Sequence, residues 1–157
     1  MERIALFGLI SFGLMGQTPE ALLAEADRLA WLKNWSKAEP LFAQAEKEFA
    51  ARGDRRNELY AKVNRLRGEL PRTSVPVMSQ RLEEILDSPI VRADERLRLR
   101  CLIVKGETDE DLNPDLAEES WKEALAIAER LGEKAWANRA RGELALMAGA
   151  QGNMTAQ

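Results

Sequence analysis

The segment 38-AEPLFAQA-45 and its echo 117-AEESWKEA-124 decide how this chain folds. In each, a small residue, a large aromatic and a second small residue recur after four and then three positions: Ala38, Phe42 and Ala45, then Ala117, Trp121 and Ala124. That spacing places all three side chains on one stripe of a helix. A third segment, 78-MSQRLEEI-85, keeps the spacing with Met78, Leu82 and Ile85, so the large residues Phe42, Leu82 and Trp121 stand forty and thirty-nine positions apart. A fixed period in this range, with one helical hairpin per period, is the signature of a helical solenoid whose repeats bury their apolar faces on one another.

Working outward from these stripes, Thr18 as a cap, Pro19 at the first helical position and the stripe Leu22, Ala26, Leu29 and Ala30 predict a helix ending near Lys33. Asn34 and Trp35 read as a short turn, Ser36 with Glu39 as a capping box, and Leu41, Phe42, Ala45 and Phe49 as the stripe of a second helix stopping at Gly53. A connection that short makes a hairpin. A third helix begins at Asp54, carries Leu59, Val63, Leu66 and Leu70, and is ended by Pro71; a fourth over 77–86 stops before Ser88 and Pro89 and completes a second hairpin. The fifth, over 94–105, is apolar around much of its circumference and closes at Gly106. Residues 107–112 read as a polar link, Asn113 and Pro114 open a sixth helix that ends at Gly132, and a seventh runs over 133–148. The expected class is all-α, with about seven helices after residue 16.

Ala38-x3-Phe42-x2-Ala45, preceded by Leu22, Ala26 and Leu29, resembles the tetratricopeptide repeat, and Ala117-x3-Trp121-x2-Ala124 resembles its second half. The resemblance covers most of residues 17–157. It departs from the family at Glu25, where a leucine is usual, and at Met78 and Ile85, which replace the alanines, and the period exceeds the family's roughly 34 residues. What it implies is a right-handed stack of antiparallel helical hairpins whose first helices line a concave surface. Leu144, Ala145 and Ala148, then Gly152, Asn153, Met154, Thr155 and Ala156, are similar to the first helix and turn of another repeat. The expected domain over 17–157 therefore ends inside a further repeat, as the N-terminal part of an exported bacterial protein of this family would.

Residues 1–16 differ from the rest. Met1, Glu2 and Arg3 precede a twelve-residue apolar run over 4–15, followed by Gly16, Gln17 and Thr18, which reads as a secretory signal peptide over 1–16. The run is shorter than the ~20 residues that span a bilayer, so no stable membrane span is expected, and no cysteine follows it to carry a lipid. The expected location is exported, periplasmic or extracellular.

Composition narrows the chemistry. Twenty-three basic and twenty-six acidic side chains give a net charge of −3 without a basic patch, so no nucleic-acid partner is expected. The chain has no histidine, which removes the usual general base near neutral pH, the commonest metal ligand and the Ser-His and Cys-His nucleophile pairs together. Cys101, in the run Leu97, Leu99, Cys101, Leu102, Ile103 and Val104, reads as a small buried hydrophobe. The acidic pair Glu83 and Glu84 and the cluster Glu107, Asp109, Glu110 and Asp111 lack the cleft of a glycosidase and the ligand spacing of a calcium loop; a solvated loop accounts for the cluster. Neither a cofactor nor a catalytic activity is expected.

What remains is a binding face. On the third helix Asn57, Tyr60 and Asn64 lie away from the apolar stripe, and Arg67 continues their side. In the final helix Trp136 shares a face with Arg139 and Glu143. Trp31 and Trp35 flank the first turn and Trp121 holds a core position, so packing accounts for all three. A solvated helix face is the plain reading of 57–67; the resemblance implies in addition that Asn57, Asn64 and Arg67 sit where asparagines and cations clamp a peptide carboxylate. The expected function is a non-catalytic scaffold for a protein or peptide partner. The competing expectation is a sensory input domain that binds a small ligand and passes the change to a signalling domain beyond Gln157.

Overall fold

The computed structural model describes residues 17–110 and 112–154, and side-chain surroundings as far as residue 150; the expected signal segment lies outside the described residues. Among the described residues eight helices follow one another: α1 Pro19–Trp31, α2 Trp35–Arg52, α3 Arg55–Glu69, α4 Val75–Leu86, α5 Pro89–Ala93, α6 Glu95–Asp109, α7 Pro114–Leu131 and α8 Lys134–Met154, with a 3-10 turn at Leu70–Arg72. No strand occurs among the described residues, so the chain is all-α as the periodicity predicts. None of the described helices is long and apolar enough to cross a membrane.

Several boundaries follow from local chemistry. The Thr18 hydroxyl accepts the Ala21 N–H at 3.2 Å and Asn113 Oδ1 accepts the Leu116 N–H at 3.3 Å, each ahead of a proline that has no N–H to satisfy. Gly53 and Gly132 end α2 and α7 at φ 71° and 70°, the left-handed conformation that a side chain resists. The end of α1 has no glycine: Lys33 itself adopts φ 58°, and the N–H groups of Lys33 and Asn34 bond back to the carbonyls of Ala30 and Leu29, both at 2.9 Å. This turn brings α2 forward to Trp35. The expected capping box is consequently not formed, because Ser36 Oγ donates to Asn34 Oδ1 at 3.2 Å and Glu39 turns to Arg72, at 2.5 and 2.6 Å.

The repeated stripe is the core. Ala38, Phe42, Ala45, Met78, Leu82, Ala117, Trp121 and Ala124 are all fully buried, and each large member contributes about 1.5–3 kcal/mol by leaving water. Neighbouring helices pack α1 on α2, α2 on α3, α3 on α6, α6 on α7 and α7 on α8.

Four expectations are corrected in the middle of the chain. Helices α3 and α4 share a hydrophobic cluster through Leu59, Val63, Leu66, Met78, Leu82 and Ile85, but α4 packs its backbone on α6 and does not form a close hairpin with α3. Ser88 and Pro89 do more than end α4: Ser88 Oγ accepts the Val91 N–H at 3.4 Å and opens the short α5, which buries Val91. Gly106 is no terminator. A Cβ there would sit 2.8 Å from Cε2 and Nε1 of Trp121, so the glycine admits the indole of α7 while α6 continues to Asp109. The predicted polar link is therefore helical through Asp109, which is buried against Lys105. Likewise α8 passes through Gly149 and Gly152 to Met154, where a turn is expected from the sequence.

Candidate functional site

Four helices each turn one polar and aromatic stripe toward a common face. The spacing is helical in every case: Asp27 and Trp31 on α1; Arg56, Tyr60, Asn64 and Arg67 on α3; Arg96, Arg100 and Glu107 on α6; Trp136, Arg139 and Glu143 on α8. The apolar side of each helix is held in the core, and this fixes where the stripes meet.

At the centre, Glu107 bonds Arg67 through both carboxylate oxygens and Arg139 through one. Arg67, 9% exposed, stacks on the Trp35 ring at 4.6 Å. Burial lowers the Arg67 pKa; Glu107 opposes that, and the like charges of Arg139 and Arg100 add to it. Above this layer Arg100 Nη2 donates to Tyr60 Oη at 2.7 Å, and Tyr60 Oη lies 3.0–3.1 Å from the two carboxylate oxygens of Asp27. Burial pushes the carboxyl of Asp27 above its usual range in spite of Arg100 and of the Tyr60 bond, and burial likewise raises the Tyr60 phenol. The Arg100 guanidinium also lies over the Trp136 ring at 4.4 Å, and Trp136 meets Trp31 edge to face at 5.6 Å, so the first and last helices touch.

Between these groups lies a recess of about 170 Å³ bounded by Asp27, Ala30, Trp31, Arg67, Arg100, Trp136 and Arg139. A second, of about 240 Å³, adjoins it across Arg100 and Trp136 and reaches Tyr60, Arg56 and Arg96. The outer arginines of this second recess are already paired, Arg56 with Asp94 at 2.7 Å and Arg96 with Glu133. A larger opening of about 340 Å³ between α4, α6 and α7 is walled by Glu83, Asp87, Glu119 and Glu123, and has no aromatic wall. Its buried cation, Lys105, is satisfied within the fold by Asp109, by Ser79 Oγ at 2.8 Å and by Glu83 at 3.1 Å.

Four of the six residues singled out from the sequence therefore come together: Tyr60, Arg67, Trp136 and Arg139. The other two do not. Asn57 is drawn into the start of α3, its Nδ2 donating to Asp54 at 2.7 Å, and the fully buried Asn64 donates to the Tyr60 carbonyl at 2.9 Å. Neither lines the recess, so the asparagine half of the implied carboxylate clamp is not assembled there. Sequence reasoning missed Asp27, Arg100 and Glu107. A signal existed for the last two, since Arg100 and Glu107 fall seven positions apart on one side of the otherwise apolar α6. Trp31, read as turn packing, is 56% exposed and forms one wall. Cys101 is buried as expected, and burial pushes its thiol up to about 12.

No family model matches this chain, and no similar curated protein or solved structure is found for it.

Proposed function

We propose that this chain is an exported, non-catalytic helical-repeat module of the tetratricopeptide kind, a right-handed stack of helical hairpins that holds a protein or peptide partner on the face shared by α1, α3, α6 and α8. The observation that carries this reading is the convergence of four polar and aromatic stripes onto one face while the repeated apolar stripe is spent on the core. Exposed aromatic anchors next to arginines are the composition of binding hot spots. The missing histidine and the inert thiol support a binding role over a chemical one.

The test is site-specific photo-crosslinking in the producing cell. A photoreactive residue at Trp31 is expected to trap a discrete partner, whereas one at the exposed Lys122 on α7 is not. Equal trapping at both positions, or at neither, refutes the assignment of the face. Recovery of the protein from the periplasm with a mass short by residues 1–16 tests export.

A second reading, a ligand-sensing input domain of a larger bacterial signalling protein, is favoured by one feature: the recess is walled by residues from both ends of the fold. A membrane span and a signalling domain encoded downstream distinguish it from a plain scaffold.

A further inference from the structure

Around the recess under Trp31 and Trp136 three cations line the wall, while two of the three carboxylates that balance them, Glu107 and Glu143, stand outside it. Three guanidinium groups line it, from Arg67, Arg100 and Arg139, and one carboxylate, Asp27. Glu107 stands behind two of the arginines and is shared between them, and Glu143 lies 3.6 Å from Arg139 without lining the recess. The most weakly paired of the three is Arg100. Its side chain is 14% exposed, yet among the described residues one of its five donors is bonded, and to a neutral phenol; Asp27 is 3.7 Å away, beyond hydrogen-bond reach. Arg139 Nε is buried and faces Glu143 Oε1 at 3.6 Å, just beyond hydrogen-bond reach. The remaining donors of Arg100 are not buried, so they stay open to an anion that enters the recess between Arg100 and Arg139.

The walls define what the anion is attached to. Trp136 is covered on one face by Arg100, Trp31 stands edge-on to it with half its surface open, and Ala30 leaves the wall between them low. A cavity of ~150 Å³ suffices for a benzene ring, and this one encloses about 170 Å³. That is room for one flat ring and a short acid arm.

We propose that the recess binds a small aromatic monocarboxylate, its carboxylate on Arg100 and Arg139 and its ring against Trp31 and Trp136. The proposal rests on the shared face being a binding face and adds a ligand of its own to it. Such a ligand joins α1, α6 and α8, and so ties the two ends of the fold together.

The experiment is isothermal titration calorimetry of the full 157-residue chain with phenylacetate, and with its neutral isostere phenylacetamide, at low and moderate salt. Phenylacetate is expected to saturate with a Kd of about 0.1–1 mM and phenylacetamide to bind at least ~10-fold more weakly. Added salt is expected to weaken the acid and not the amide. Arg100→Gln removes the charge and is expected to lose ~10-fold in affinity, and Arg100→Lys, which keeps the charge but not the planar fork, is expected to fall between the two. Both variants are checked for an unchanged helical spectrum; should Arg100→Gln not fold, Arg100→Lys and the acid-amide comparison decide. Equal affinity for acid and amide, no saturation by phenylacetate up to ~10 mM, or undiminished binding by folded Arg100→Gln overturns the proposal. If the acid fails while a crosslinker at Trp31 still traps a protein, the small-acid assignment alone falls; if the acid binds and the crosslinker traps nothing, the protein-scaffold reading falls and this one stands.

Discussion

Replacing Glu107 by alanine removes the single carboxylate that holds Arg67 and Arg139 together. The Glu107 and Arg67 side chains are 12% and 9% exposed, so solvent screening replaces little of what is lost. Arg67 is left stacked on Trp35, with Arg139 and Arg100 as its charged neighbours and no anion beside it. Breaking a buried ion pair costs about 3–5 kcal/mol, and the partial exposure of Arg139 places this case at the lower end, about 3 kcal/mol. For a domain of this size that is a fall in Tm of roughly 6–12 °C. Urea denaturation followed by circular dichroism measures it directly. The reasoning also requires that most of the cost be the stranded charge. Removing both partners, as Arg67→Met with Glu107→Leu, is therefore expected to recover more than half of the loss, because well-packed apolar replacements of a buried pair are close to neutral. A loss below about 1 kcal/mol for Glu107→Ala, or a double variant as unstable as the sum of its parts, would show that Glu107 is solvated and that the layer beneath the recess is not preorganised.

Other consequences are independent of that network. Gly106→Ala drives a methyl into the Trp121 indole at 2.8 Å; the overpacking cost of about 1–3 kcal/mol exceeds the ~1 kcal/mol gain in helix propensity, so a lower urea midpoint is expected. Gly142→Ala in α8, with nothing within 4 Å of the new methyl, is expected to raise the stability by about 0.5–1 kcal/mol and the midpoint with it, and a stabilised Gly106→Ala would show that α6 and α7 are not in close contact there. The folded-state pKa of Asp27 is raised by burial above its usual 3.8, so the native state holds that proton more tightly than the unfolded chain. Stability of the wild type relative to Asp27→Asn should accordingly fall as pH rises from about 4 through the folded pKa and then level off; parallel pH profiles for the two proteins would contradict this. The buried Cys101 thiol, pushed up to about 12, is expected to react with an aromatic disulfide reagent at pH 8 only as fast as the protein unfolds, and a fast stoichiometric reaction in the native state would place it at the surface.

The positions that sequence reasoning located in the shared polar and aromatic face are those whose partners did not matter to the argument. Tyr60, Arg67, Trp136 and Arg139 are recognisable because each sits off the apolar stripe of its own helix, and three- and four-residue spacing is a local property. Asn57 and Asn64 satisfy the same rule and still turn away from the recess, since the cap of α3 claims one and the interior the other. Glu107 illustrates the opposite failure: four acidic residues after a glycine are indistinguishable from a solvated loop until Arg67 and Arg139, 40 and 32 positions away, are seen to meet it.

The amino-acid sequence by itself determined the helical class, the repeated stripe that becomes the core, and the helix ends set by Thr18, Gly53, Asn113, Pro114 and Gly132, because period and capping act within a few residues. Only the tertiary structure decided that α4 lies on α6, that Gly106 serves Trp121 instead of ending a helix, and that Asp27, Arg100 and Glu107 join the aromatic face. These depend on which side chain arrives from a distant helix to fill a gap or neutralise a charge, and a single strand of sequence carries no record of that distance.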